Sequence, residues 1–198
     1  MRVFLETDRL VLRWFTAADA DNLYHLDHDP AVMRFLSGGK PTPRAVIEDE
    51  ILPLYFQCYE RFAGFGFWAA IEKSSETFLG WFEFLPPDGG SPDAVELGYR
   101  LRRAAWGKGY ATEGARALIR KGFTDLGVQC VFAETMAVNS ASRRVMEKAG
   151  LTLVRTVHQA WTDPIEGAEH GEVEYALTKA DWEHQQTGQS HPRTKREC

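Results

Sequence analysis

The sequence predicts an α/β chain of the α+β kind, a mixed sheet flanked by helices within one domain. Three observations carry this. Short apolar runs bounded by turn signals recur along the chain and read as strands, two of them joined by a turn at residues 73–76. Between strands the apolar residues fall at helical spacing, most clearly Ala115, Leu118, Ile119, Gly122, Phe123 and Leu126. Just before that helix, a strand over 95–101 is followed by the short glycine-bearing stretch Trp106-Gly107-Lys108-Gly109-Tyr110-Ala111-Thr112-Glu113.

In chain order, residues 7–15 alternate around Leu10, Leu12 and Trp14 and predict a first strand. Thr16 is an N-cap with Asp19 in the acidic first turn, opening a helix through Leu23 and Leu26 that should stop before Pro30. A loop covers 37–41. Pro43 suits the first turn of a second helix carrying Val46, Ile47 and Ile51, with Pro53 expected to break or kink it before it continues over 54–62. Strands follow at 66–72 and 77–85, then a loop with three prolines and two glycines at 86–92. After the central strand, glycine stretch and long helix come a strand at 130–136, a helix and a strand ending near His158. A polar connection spans 159–171, then a strand at 172–178 and a short helix at 180–185. The domain is therefore drawn at 1–185, with 186–198 a polar tail lacking an apolar face and expected to be disordered.

Composition narrows the function. Hydrophobic residues make up 44% of the 198 and aromatics 12%, enough for a substantial core. A net charge of −5 argues against a general electrostatic grip on nucleic acid. No signal peptide is evident and no apolar run is long enough to span a bilayer, so the expectation is a cytoplasmic protein without a membrane partner. Cys58, Cys130 and Cys198 are odd in number and lack metal spacing. Cys130 falls in an apolar strand pattern and reads as a buried thiol, and no metal is expected.

The glycine stretch carries the chemistry. A loop leading from a strand to a helix N-terminus gathers unpaired N–H groups at the positive end of the helix dipole. Two glycines let backbone press against a ligand, and Lys108 adds a cation, so the natural partner is a phosphate or pyrophosphate. A Walker loop would need Ser or Thr after Lys108, where Gly109 stands. A dinucleotide fingerprint would need Gly or Ala where Thr112 stands, although Glu134 lies near the spacing of a ribose-binding acid and keeps that alternative open.

A second stretch weighs more. Asn139-Ser140-Ala141-Ser142-Arg143-Arg144-Val145-Met146-Glu147-Lys148-Ala149-Gly150 follows the 130–136 strand. Together the two stretches resemble the GNAT family of acyl-CoA N-acyltransferases, with Trp106, Gly109 and Ala111 at the defining positions of its pyrophosphate loop. The pattern is closest to the RimJ/RimL subgroup, and the resemblance covers residues 6 to about 182. It implies a mostly antiparallel sheet whose central strands splay apart, and acetyl-CoA as cosubstrate. The acceptor would be a primary amine, on a small molecule or a protein N-terminus, attacked directly in a ternary complex. The N–H groups of Gly107, Lys108, Gly109, Tyr110, Ala111 and Thr112 would hold the pyrophosphate. Arg102 and Arg103 would add charge at the mouth. The pantetheine arm would follow an edge that includes Leu101 and Arg103, with the Leu101 N–H at the thioester carbonyl. Asn139 would cap its helix or bond to pantetheine, and Arg143 and Arg144 would face a CoA phosphate or solvent. Homodimers are common in the family.

For proton transfer, Glu96 is the first candidate base, acting through water, followed by Glu134, then Glu169 and His170. The family's usual acid is a tyrosine seven residues after the asparagine, where Met146 cannot donate, so Ser142 becomes the candidate donor to the departing thiolate. Strand parity would turn Glu96 away from Leu101 unless a bulge intervenes; the resemblance implies one, since GNAT strands commonly carry a bulge here, and the Glu96 role depends on it. A non-catalytic CoA- or nucleotide-binding module remains the alternative from another class.

Overall fold

A computed structural model describes residues 2–87, 90–158 and 163–187. Along β3 (Gly66–Glu72) Phe67 and Ala69 join one apolar cluster and Trp68 and Ala70 the other. Along β4 (Phe78–Leu85) Trp81 faces the first cluster while Phe82 and Phe84 face the second. Strands apolar on both faces must be covered on both, which explains why they read as continuous hydrophobic runs. The cover on one face is α1 (Ala20–Asp27), α2 (Pro30–Ser37), α3 (Arg44–Val46) and α4 (Leu52–Arg61). On the other lie α5 (Tyr110–Asp125), α6 (Ser140–Ala149) and α7 (Lys179–Thr187).

Among the described residues the sheet has eight strands in the order β1-β2-β3-β4-β5-β6-β8-β7. The remaining strands are β1 (Val3–Glu6), β2 (Leu10–Trp14), β5 (Ala94–Leu101), β6 (Cys130–Met136), β7 (Thr152–Val157) and β8 (Glu172–Thr178). Neighbours are antiparallel except β5 and β6, which are parallel and joined through α5. That pair bonds at three positions, Ala94 with Cys130, Val95 with Val131 and Glu96 with Phe132. Beyond them β5 runs on to Leu101 and β6 to Met136 without pairing, so the two strands open a V. The expected mostly antiparallel sheet with splayed central strands is what the chain forms.

Helix α5 lies close on the sheet because two of its residues have no side chain. A Cβ on Gly114 would sit 2.3 Å from the Phe82 ring, and one on Gly122 2.6 Å from the Phe84 ring. These rings fill the hollows, and the helix N-terminus is thereby fixed over the end of β5.

Several expected elements differ in detail. Pro30, read as a stop, is also a start: it occupies the first turn of α2, and Asp29 caps that helix by accepting from the Ala31 N–H at 2.9 Å. The expected disturbance near Pro53 is a π turn at Ile47–Ile51, after which Pro53 sits in the first turn of α4. β1 went unpredicted, because Thr7 and the residues after it form a tight turn between two short strands. Cys130 is buried, as expected. Helix α7 runs to Thr187, past the boundary drawn at 185; the rest of the expected tail, 188–198, lies outside the described residues. Among the described residues no helix is long and apolar enough to cross a membrane.

Candidate active site

Both helices that follow the parallel strands begin at the open end of the V, so two helix N-termini and two strand ends converge there. In parallel sheets ligands collect at this carboxyl end. After β5 the chain makes a 3-10 turn at Arg103–Ala105 and then the glycine loop. Gly107 and Gly109 have φ of +71° and +84°, conformations that favour glycine. No carbonyl or side chain among the described residues accepts a hydrogen bond from the N–H of Gly107, Lys108, Gly109, Tyr110, Ala111 or Thr112. Six consecutive free N–H groups, running from the exposed loop at 107–109 into the first turn of α5, form a cradle for an anion. A Cβ on Gly107 would meet nothing within 4 Å, so a ligand can approach closely. These residues fit the pyrophosphate of a CoA.

The loop is braced from behind by the chain's first turn, a role the motif did not reveal. Glu113 accepts from the Thr7 hydroxyl at 2.6 Å, the Arg9 N–H at 2.9 Å and Arg9 Nε at 2.7 Å. Arg9 also donates to the Lys108 carbonyl at 3.0 Å and lies over the Tyr110 ring, 4.4 Å from its centre. Tyr110 donates in turn to Glu72. Burial works against the Glu113 charge, but the bonds from Thr7 and Arg9 outweigh it and hold its carboxyl below the usual range. Trp106, 47% exposed, ties the loop to the strand by donating from Nε1 to the Leu101 carbonyl at 2.8 Å.

The edge of β5 is open where the V widens. Arg102 donates its N–H to Leu79 on β4 at 2.7 Å, so by strand alternation the main-chain groups of Tyr99 and Leu101 face the cleft. Arg102 does not reach the mouth. Its guanidinium lies over the Phe78 ring and toward Asn22 of α1. Arg103 is exposed on the 3-10 turn beside the loop.

Across the V, Asn139 caps α6 by accepting from the Ser142 N–H at 3.2 Å, and its amide donates to Thr135 of β6 at 3.1 Å. Arg143 donates to the Tyr175 hydroxyl and to the Ala137 carbonyl, each at 3.1 Å, and Arg144 is exposed. Met146 is 2% exposed in the main core. Ser142 faces β5, where Tyr99 meets it.

The far face of β5 is acidic. The β4–β5 ladder runs from Gly80 opposite Leu101 to Leu85 opposite Glu96 without a shift, so the expected bulge is absent. Glu96 therefore points to the face opposite the Leu101 side chain. Leu101 would act through its N–H, which lies in the plane of the sheet, so no bulge is needed. With Glu96 on this face are Glu83 of β4, Arg100 of β5 and Glu134 of β6. Burial, with help from the Glu96 charge, raises Glu83 to about 8. Burial and the Glu134 charge raise Glu96, and burial with Glu174 and Glu172 raises Glu134. Glu83 escaped sequence reading because its surroundings come from a neighbouring strand. Arg100 donates to Asp27 at 2.6 Å, and Asp27 also accepts from Thr42 at 2.8 Å. His170 and Glu169 lie apart from this face on a 3-10 turn, both mostly exposed.

That face is roofed by α1–α4, and the segment before β8 docks on the roof. Glu166 pairs with Arg34 of α2 at 3.1 Å and Asp163 with Lys40 at 2.9 Å. Residues 159–162 of the expected connection lie outside the described residues.

The acetyltransferase (GNAT) domain family matches residues 9–152, most of the chain and both halves of the V. The chain belongs to the GNAT family. Among its relatives, the FsC-acetyl coenzyme A-N(2)-transacetylase of Aspergillus fumigatus is 37% identical over 166 residues, covering 79% of this chain and 68% of that one. Two solved GNAT structures share the fold. RimL, a ribosomal L7/L12 alpha-N-protein acetyltransferase in complex with CoA, superposes with a TM-score of 0.74 at 17% identity over 89% of this chain and 98% of its own. A Vibrio cholerae spermidine N-acetyltransferase in complex with CoA and spermine gives 0.72 at 15% identity over 89% and 99%. Like its relatives, this GNAT protein is an acetyl-CoA-dependent N-acetyltransferase. Among the described residues no group of His, Cys, Asp and Glu could hold a metal.

Proposed function

We propose that this protein moves the acetyl group of acetyl-CoA to a primary amine by direct attack in a ternary complex, within a RimJ/RimL-like branch of the family. The observation that carries the reading is the run of free N–H groups from Gly107 to Thr112, which leads to the open β5 edge and the carboxylate face beyond it. The loop takes the pyrophosphate, and the arm follows the Tyr99–Leu101 edge with the Leu101 N–H donating to the thioester carbonyl. That bond strengthens as the oxygen gains charge. The acceptor enters from the α1–α4 side, where carboxylates favour a cation. Its nitrogen forms the new C–N bond, its proton leaves through water to the Glu96 side of the cleft, and the C–S bond breaks with the electron pair staying on sulfur. Ser142, hydrogen-bonded to Tyr99, donates toward that sulfur.

The acceptor classes supported are an α-amine on a small molecule, in line with the N(2)-transacetylase relative, and a protein N-terminus, in line with the RimL likeness. An amine panel incubated with acetyl-CoA and read by mass spectrometry tests this. Acetyl on nitrogen is the expected result. CoA binding with no transfer to any amine would instead mark a binding module, and stabilisation by NAD rather than acetyl-CoA would point to the dinucleotide reading.

A further inference from the structure

We propose that Glu83, rather than Glu96, is the group that receives the proton of the attacking amine. The inference rests on the reading above, which places the thioester at the Leu101 end of β5.

Register decides between the two carboxylates. Glu83 stands directly opposite Gly98 in an unbroken antiparallel ladder, so both belong to the face that carries Glu96 and Arg100. Gly98 is three residues from Leu101 and Glu96 is five. At about 3.4 Å per residue these are about 10 Å and about 17 Å from the expected thioester. A carboxyl side chain plus one water bridges the first distance and falls short on the second.

Glu83 is on β4, one strand further from the V, but it crosses that gap. A Cβ on Gly98 would lie 2.7 Å from Glu83 Oε2 and 3.1 Å from Glu83 Cβ. The carboxyl thus lies across Gly98, over β5 itself. Any side chain at 98 would push it away, so the glycine and the glutamate form one device spanning two strands.

Burial and the charges of Glu96 and Arg100 act on this carboxyl, and no hydrogen bond from a described residue does. The charged and titratable groups facing it are Glu96 and Arg100 on β5 and Tyr55 on α4, with Asp27 of α1 beyond them beside Tyr55 and Arg100. Arg100, the one cation among them, gives its Nη1 to Asp27. A mostly buried carboxyl that closes no ion pair is costly to the fold and useful as a base. Burial and the Glu96 charge set its proton affinity at about 8, close to that of a free α-amine at about 7.7–8.0, so proton transfer between them is nearly balanced. Glu96 then acts as a positioning residue whose charge keeps Glu83 basic.

The test is the pH profile of kcat/KM with trifluoroethylamine, an acceptor neutral throughout the range, so that the acidic limb reports the enzyme. The parent should show a limb near pH 8. Glu83→Gln should lower kcat/KM by about 10²-fold or more and abolish the limb, with acetyl-CoA affinity by calorimetry within twofold of the parent. Glu96→Gln should keep most of the rate and move the limb to lower pH, because a repelling charge has gone. Gly98→Ala should lower kcat and leave KM for acetyl-CoA unchanged. If Glu83→Gln keeps the parent's profile while Glu96→Gln loses it, the base is Glu96. If Glu83→Gln loses acetyl-CoA affinity along with rate, its role is structural. A parent that binds acetyl-CoA but acetylates no amine overturns the reading beneath the proposal as well.

Discussion

The Tyr99 hydroxyl lies 2.9 Å from Ser142 Oγ and 3.0 Å from the Ser142 main-chain oxygen, joining β5 to the first turn of α6 across the V. Burial pushes the Tyr99 phenol up to about 12, the serine bond opposing it, so the phenol stays protonated at any working pH. When Tyr99 donates to Ser142 Oγ, the serine proton is free to turn toward the cleft. A phenol on β5 and a hydroxyl on α6 therefore stand in series, and α6 carries Met146 where other GNAT proteins carry tyrosine.

If that pair donates to the departing sulfur, Ser142→Ala should lower kcat by roughly 10²-fold and Tyr99→Phe by a comparable factor. The double variant should be little worse than either, because residues acting as a unit are not additive. Steady-state kinetics on the four proteins decides it. Independent, multiplying losses would show that the two side chains only pack.

The loop assignment is tested at Gly109. Its φ of +84° disfavours any side chain, and the nearest atom to a Cβ there would be Arg9 Nη2 at 3.4 Å. Gly109→Glu puts a negative charge among the six free N–H groups. Affinity for CoA should fall by about 10²-fold or more, while the unfolding midpoint drops by only the few degrees expected of about 1–2 kcal/mol of backbone strain. A variant that binds CoA like the parent would remove the loop from the site.

Glu113 and Arg9 should matter to CoA without touching it. Removing either loosens the Lys108 carbonyl and the first turn of α5. Glu113→Gln and Arg9→Ala should each raise KM for acetyl-CoA by roughly tenfold with kcat at saturation unchanged, and the double variant should add little. A fall in kcat with KM unchanged would place the pair elsewhere in the mechanism.

These cases mark what could be read from sequence. The glycine loop and the Asn139 helix were legible because each function there uses consecutive main-chain groups, which spacing describes. Strands such as β3, β6 and β8 were legible because a buried strand declares itself by apolar content over six or seven residues. Glu83 and Tyr99 were not, since their meaning lies in Gly98 on the next strand and Ser142 on a distant helix. Helix α2 was missed for a local reason: a proline that ends one helix can also begin the next, and Asp29 before Pro30 was the cap signal that told them apart.

The buried carboxylates also predict how stability follows pH. The native state raises Glu83 from 4.5 to about 8 through burial and the Glu96 charge, and it raises Glu96 and Glu134 in the same direction. Between those limits the native protein holds a proton that the unfolded chain has released. Where the native state binds more protons, stability falls as pH rises, so the stability present below about pH 4.5 is lost progressively up to pH 8. Asp19 and Glu113 run the other way: burial opposes their charge but hydrogen bonds win, their affinities are lowered, and their contribution is lost as pH falls below the ordinary carboxylate range. The unfolding free energy from urea titrations should therefore peak near pH 5 and decline toward pH 9 by an amount of the order of a few kcal/mol. Glu83→Gln cannot ionise, so it should flatten most of that decline and be more stable than the parent at pH 9. A parent curve level from pH 5 to pH 9, or a variant with the parent's slope, would show that the Glu83 carboxyl is solvated and titrates normally.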